Sequence, residues 1–349
     1  MRTFDYLTVP PSLQAPSVTN LLLEIREHRG RQALWTVTRG DELEALREGA
    51  RVQSTGASNR IEGIATTERR LSDIVVRRSA PRNRAEEEIA GYRDALSLIH
   101  EQHAYIPVTP GVILQLHRDL LAHTPLSYGG TWKDADNQIV TREPDGSSTV
   151  RFQPLPALLT PDAVAALCET YNEAYRAQAC DPALLAARFT FDFVSIHPFN
   201  DGNGRMSRLL TVLLLERAGY LVPRYVSIER LIEKSREQYY DALAQSSAGW
   251  EAGTNDEAPF VRYLLGVILA AYRELDARMG DATPGRQRAA ERVRAVFDRR
   301  VGKVTKAMVL AECPDLSEVT VKRALATLLE KGSIRKVDAG PRTGYVLAE

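Results

Sequence analysis

Along most of the chain apolar residues recur at i, i+3 and i+4, the spacing of one helix face. "SVTNLLLEIREHRGR" and "GDELEALREGARVQS" read as amphipathic helices opened by Ser17 and Asp41 as caps. "SAPRNRAEEEIAGYRDALSLIHEQ" holds a third helix, and its leading "SAPRN" reads as the connection out of an N-terminal module. Helices follow in "TPGVILQLHRDLLAH", with Pro110 in its first turn, and in "TPDAVAALCETYNEAYRAQAC". "DPALLAARFTFDFVSIHPF" opens on Asp181 and Pro182 and must stop near His197, because Pro198 cannot continue a helix. "GRMSRLLTVLLLERAGY" restarts one that ends at Gly219. A single region lacks helical period. In "GGTWKDADNQIVTREPDGSSTVRFQP", Asp-Asn and Asp-Gly steps among β-branched residues predict a short hairpin or irregular flap.

The C-terminal stretch has another pattern. "TKAMVLAECP", "SEVTVKRALATLLEKG" and "SIRKVDAGPRTGYVLA" predict helix, helix stopped at Gly332, and a two-strand ribbon turning at Gly340 and Pro341, which is the order of a winged helix-turn-helix. "GDATPG", residues 280–285, reads as the linker before it. Charge supports the division. The 349 residues carry 45 Lys+Arg and 45 Asp+Glu, yet from Arg286 onward there are 14 against 8, a net of +6. That excess permits a DNA contact through Thr320, Lys322, Arg323 and Thr327 on the outer face of the second helix, with Val321, Ala324, Leu325 and Leu328 inward. A protein-contact or packing module is the alternative. Cys168, Cys180 and Cys313 are odd in number and lack metal-site spacing, so reduced thiols and a cytoplasmic location are expected. The start shows no basic-then-apolar leader. The longest apolar run, "LLTVLLLERAGYLV", is cut by Glu216 and Arg217, so no membrane segment is expected.

The densest chemistry lies in "HPFNDGNGRMSR", residues 197–208. A calcium loop fails there, since Arg205 and Val212 fall where oxygen ligands are needed. A Walker loop fails because no Lys-Ser or Lys-Thr follows the glycines. A plain tight turn between two helices is one reading, and an anion site is the other. Gly202, Asn203 and Gly204 precede a helix whose first amides point outward unpaired. Arg205 and Arg208, three apart, share a face. Asp201 is placed to hold Mg²⁺ between phosphate oxygens. His197 ends the preceding helix, where the dipole should favour its protonated form. A base, a metal carboxylate, an anion cradle and two arginines describe a nucleotidyl or phosphoryl transfer site.

These twelve residues resemble the signature of Fic-domain proteins, His-x-Phe-x-Asp/Glu-Gly-Asn-Gly-Arg-x-x-Arg, and the resemblance extends over about residues 83–273. It implies an all-α core with a hairpin flap, here sought around Lys133 to Thr141, beside the C-terminal winged module. It implies transfer of AMP from ATP, with Mg²⁺, to a hydroxyl of a target protein. By position His197 would be the base, Phe199 the anchor of the loop, Asp201 the Mg²⁺ ligand, Gly202, Asn203 and Gly204 the anion hole, and Arg205 and Arg208 the phosphate partners. Tyr239 and Tyr240 in "EQYYDAL" resemble the lining of the nucleotide pocket, although paired helical tyrosines are more often core. "SNRIEG", with Ser58 and Glu62 one helical turn apart and then Gly63, resembles the inhibitory helix of Fic proteins that carry it ahead of the core. There the glutamate pairs with the signature's second arginine, here Arg208. The expected division is residues 1–82, 83–279 and 284–349. Hydrolytic removal of AMP and a DNA-binding regulator with a secondary Fic activity remain alternatives, and a homodimer is left open.

Overall fold

Helices dominate because the apolar stripes can be buried only against one another. In the computed structural model, which describes residues 3–142, 148–281, 285–300, 302–313, 316–337 and 343–348, they run as α1 (Pro16–Thr38), α2 (Gly40–Ile61), α3 (Glu68–Val75), α4 (Arg84–Gln102) and α5 (Pro110–Leu120). A hairpin of β1 (Ile139–Arg142) and β2 (Ser148–Phe152) interrupts them, followed by α6 (Thr160–Ala177), α7 (Pro182–Ile196), α8 (Asn203–Arg217), α9 (Ile228–Lys234), α10 (Arg236–Ser247) and α11 (Ala258–Asp281). Then come α12 (Gly285–Arg299), α13 (Lys306–Glu312), α14 (Glu318–Glu330), β3 (Ile334–Val337) and β4 (Gly344–Leu347). The chain divides into two compact units, residues 1–276 and 277–349.

In the first unit α7 is apolar nearly all round, as a central helix must be. Phe189, Phe191, Phe193 and Ile196 are fully buried. It packs between α6 and α8, and α8 in turn meets α2, α4 and α5. Asp192 of α7 accepts from the Tyr6 hydroxyl at 2.6 Å and from the Trp250 indole at 2.7 Å, which ties the N-terminal segment to the core. α1, α2 and α3 belong to this same unit, and α2 lies along α4 and α9.

Several local expectations are corrected. α1 is capped by Ala15 with Pro16 at its first position, so Ser17 is inside the helix. α2 follows Arg39 directly and Asp41 sits in its first turn, where its charge complements the dipole without capping. α3 was not legible, being eight residues long and capped by Thr67. The hairpin starts only at Ile139. Residues 131–138, assigned to the flap with it, form an irregular segment folded against the signature loop. The expected Asp145-Gly146 turn lies outside the described residues. Gly280 and Asp281 end α11, and Gly285 begins α12, a helix not expected there; residues 282–284 are not described.

The second unit has its own core of Val293, Val296, Phe297, Val304, Val309, Val321, Ala324, Leu325, Leu328 and Ile334. β3 and β4 pair antiparallel, and Val304 bridges to Tyr345. The helix-helix-ribbon order is the one expected. The turn at Gly340 and Pro341 lies outside the described residues.

Candidate active site

The signature loop is made by two interruptions. Pro198 ends α7, and His197 takes a left-handed turn at φ 51° as the helix cap, its N–H donating to Phe193 O at 3.1 Å. Gly202 takes φ 82° as the cap of α8, a conformation that favours glycine. Between them the loop is stapled from within. Asn203 Oδ1 accepts from Phe199 N–H at 2.9 Å, and its Nδ2 donates to Phe199 O at 2.7 Å. Phe199 is fully buried and stacks on His117 at 3.7 Å and on Trp132 at 5.4 Å.

His117, Trp132, Lys133 and Asn137 escaped the sequence reading, yet they form the outer brace of the loop. His117 Nδ1 accepts from Gly130 N–H at 3.1 Å. Its proton is therefore on Nε2, which donates to Asp201 O at 3.1 Å. Burial holds this imidazole down to about 4. Lys133 N–H donates to Pro198 O at 2.9 Å, and Asn137 Nδ2 donates to Phe199 O at 3.2 Å. No local motif announced these residues. A tryptophan, a lysine and an asparagine in a stretch with turn signals read equally well as a solvated flap.

The loop opens onto a cavity of about 180 Å³ lined by His197, Gly204, Arg208, Glu62, Tyr239 and Tyr240, with Phe152, Ser195 and Ser247 among the remaining walls. Six of the sequence-assigned residues thus meet at one cavity. Ser58 stands directly behind it. Asp201, Gly202, Asn203 and Arg205 are not in its lining. Asp201 is at the side, 44% exposed, with Oδ1 accepting from Gly202 N–H at 2.6 Å.

Two expectations about this chemistry change. Arg205 and Arg208 leave the same helix but do not converge. Arg205 is buried and its Nη1 donates to Glu88 on α4 at 2.6 Å, with Nη2 3.6 Å from Asp201. Arg208 turns toward α2 instead. Three residues advance a helix by 300°, not a full turn, and α4 and α2 each draw the nearer guanidinium. The second change concerns His197. It was expected to favour its protonated form, but burial lowers it to about 4, against the raising effect of its bond to Val194 O. Desolvation outweighs the helix end. Its Nδ1 is 3.3 Å from Val194 O, a group that can only accept, so Nδ1 carries the proton and Nε2 keeps its lone pair.

Glu62 reaches Arg208 from the end of α2. Arg208 Nη2 donates to Glu62 Oε1 at 2.7 Å and to Ser58 O at 2.8 Å, and Nε donates to Ser58 Oγ at 2.8 Å. Burial alone would lower the guanidinium's pKa; Glu62, then Tyr239 and Tyr92, outweigh it and raise it. The Glu62 carboxylate is one-third exposed, at 32%, not buried. It lies over the first turn of α8, where a Cβ on Gly204 would come within 2.1 Å of Oε1. The same carboxylate therefore covers the amide end of α8 and occupies Arg208. Arg60, two residues earlier, donates twice to Glu233 on α9 at 2.6 and 2.9 Å and moors this end of α2.

This constellation on a helical core belongs to a known class. Residues 107–215 match the model of the Fic/DOC family, so the chain contains a Fic domain. It is similar to the protein adenylyltransferase Fic of Aedes aegypti, 31% identical over 152 residues that make up 44% of this chain and 26% of that protein. The counterpart in Drosophila grimshawi is 32% identical over 162 residues, 46% of this chain and 28% of that protein. The chain thus spans about a quarter of the length of these curated relatives. In fold it resembles the crystal structure of a Fic family protein from Desulfovibrio desulfuricans G20, with TM-score 0.64 and 24% identity over 99% of this chain and 98% of that one. It also resembles a Fic domain-containing signalling protein from Bacteroides thetaiotaomicron, with TM-score 0.61 and 22% identity over 74% of this chain and 98% of that one. Among the described residues no helix is long and apolar enough to cross a membrane.

Proposed function

We propose that this chain transfers AMP from ATP to a hydroxyl side chain of a target protein, and that α2 holds the reaction off through Glu62. One observation carries the reading: His197, the amide end of α8 and Arg208 converge on one cavity, and Glu62 is bonded across it. His197 is neutral at pH 7, so its Nε2 can take the proton of the target hydroxyl as that oxygen bonds to the α-phosphorus. The bond to the β-phosphate oxygen breaks and pyrophosphate leaves. The first amides of α8 are unpaired within their helix and suit phosphate oxygens. Arg208 would meet the γ-phosphate, and Tyr239 and Tyr240 would wall the nucleoside. Arg205 acts indirectly, by fixing α8 on Glu88.

Asp201 suits Mg²⁺. It is a single exposed carboxylate beside the anion end of α8. Such a site fits a hard cation that draws its other oxygens from phosphates and water. Mg²⁺ there would neutralise phosphate charge.

While Glu62 holds Arg208, the γ-phosphate loses its partner and meets a carboxylate, so ATP would settle with the α-phosphate out of line for attack. Hydrolytic removal of AMP is the second reading, because the part-exposed Glu62 shares the cavity with His197 and could orient a water there. Wild type and Glu62→Gly, incubated with labelled ATP, Mg²⁺ and lysate, separate the two. The variant gains labelled bands if Glu62 is a brake. It gains none, and loses release of AMP from a modified protein, if Glu62 serves water. For the second unit, exposed Lys322 and Arg323 on α14 support binding of duplex DNA.

A further inference from the structure

Lys133 is the most deeply buried lysine among the described residues, 3% exposed, and no carboxylate among them lies within 4.0 Å of its ammonium. Burying an uncompensated charge is costly, and a lysine so placed is retained for what it holds. Its bonds are specific. Nζ donates to Ile196 O at 3.2 Å and to Asn137 Oδ1 at 3.0 Å, while its backbone N–H donates to Pro198 O at 2.9 Å. One residue thus grips the carbonyls on both sides of His197. The residue between them has φ 51°, in the left-handed region that residues other than glycine seldom adopt.

We propose that Lys133 is a positioning residue for His197: by bonding the carbonyls of Ile196 and Pro198 it locks the left-handed turn that aims the imidazole into the cavity. The ammonium also closes the C-terminal end of α7, where carbonyls lack intrahelical partners. Its charge works in the same direction as burial on His197. The imidazole faces Lys133, which lowers its pKa, and Glu62 and Asp201, which raise it. Burial brings the ammonium itself down to about 8, with Asp136 opposing. The role rests on the transfer reading above, in which His197 is the base.

The test uses the full chain in the Glu62→Gly background, so that failure of the transfer reading is seen first, as absence of AMP incorporation in Glu62→Gly itself. Given incorporation there, adding Lys133→Met keeps the apolar stem and removes the donor. It is expected to lower kcat about 10- to 100-fold with KM for ATP nearly unchanged, and Lys133→Arg, which keeps charge and donors, is expected to recover part of the loss. A second readout needs no catalysis. In a proton NMR titration of the six histidines, with His197 assigned by His197→Ala, Lys133→Met should move the His197 transition to higher pH. Should Lys133→Met melt below the assay temperature, Asn137→Ala, which frees the ammonium, is expected to lower kcat in the same sense. A folded Lys133→Met with parental kcat and an unmoved His197 transition would overturn the proposal.

Discussion

At the scale of single residues the site depends on two neutral histidines with different duties. His197 is the base of the proposed transfer, and a positioned base contributes about 10²–10⁴-fold, so His197→Ala should abolish AMP incorporation by that factor while the protein stays folded. Its low pKa, about 4, places the acid limb of kcat/KM, measured on Glu62→Gly, well below the ordinary histidine range; an acid limb at about 6.5 would show the imidazole to be solvated. His117 holds the loop and must be neutral, because its Nδ1 accepts from Gly130. Its folded pKa of about 4 is below the unfolded 6.5, so as pH falls from 6.5 to 4 the unfolded chain takes the proton first. Stability is therefore full above 6.5 and is lost on the way down, by on the order of 3 kcal/mol for this one group. His197 and His103 are lowered too and add in the same direction. The carboxylates that are held low, such as Glu86 at about 2, lose their contribution only below the usual carboxylate range. Urea denaturation at pH 7 and pH 5 should thus show a drop, and His117→Gln should be less stable at pH 7 with a smaller drop.

At the scale of elements the decisive contact is α2 on α8. Glu62→Gly should raise AMP incorporation, because it frees Arg208 and uncovers the amide end of α8. Arg208→Ala releases the same carboxylate but removes the phosphate partner, so it should not activate. Opposite outcomes at two ends of one ion pair distinguish a brake from a tie. The pair is part-exposed at Glu62, so its contribution to stability is well below the cost of breaking a fully buried one, and Glu62→Gly should melt within a few degrees of wild type. Arg60→Ala, which cuts the mooring to Glu233 and leaves Arg208 untouched, should activate in part. Incorporation by Arg60→Ala equal to wild type would show that the end of α2 is held without that mooring. The contact was legible in sequence because both halves are short motifs with fixed offsets: Ser58 and Glu62 a turn apart, Gly202 to Arg208 at a helix start. What was not legible has a physical cause. Arg205 and Arg208 were read as one face because spacing gives direction along a helix, but Glu88, 117 positions from Arg205, decides where that guanidinium goes. His197 was read through its helix end because its burial depends on Lys133 and on the residues of α10 that share its cavity, none of them local. The brace at Trp132, Lys133 and Asn137 is made of single residues whose partners lie about sixty positions away, beyond any periodicity.

At the scale of the whole molecule the question is whether residues 277–349 are needed for the chemistry. Every residue lining the cavity, and every residue bracing the signature loop, falls within 1–276, and the second unit closes its own core with residues from Ala290 to Ile334. That core is continued by a paired ribbon, so the unit buries its apolar face without help, the usual condition for independent folding. We predict that a chain ending at Asp281, which keeps α11 whole, retains the AMP incorporation of its parent in the Glu62→Gly background. The fragment from Gly285 to the end should show helical circular dichroism and a cooperative melt on its own. Loss of incorporation in the shortened chain, with its fold retained, would make the second unit part of the active machinery. The fragment also decides the DNA reading. Lys322 and Arg323 project from α14 while Val321, Ala324, Leu325 and Leu328 are buried beneath them, so a duplex would meet the charged face first. Phosphate contacts release counterions, and affinity must fall steeply as salt rises. Binding that weakens between 50 and 200 mM salt, and that weakens again in Lys322→Ala and Arg323→Ala, is the expected result; no binding at the lower salt would leave the second unit as a protein-contact module.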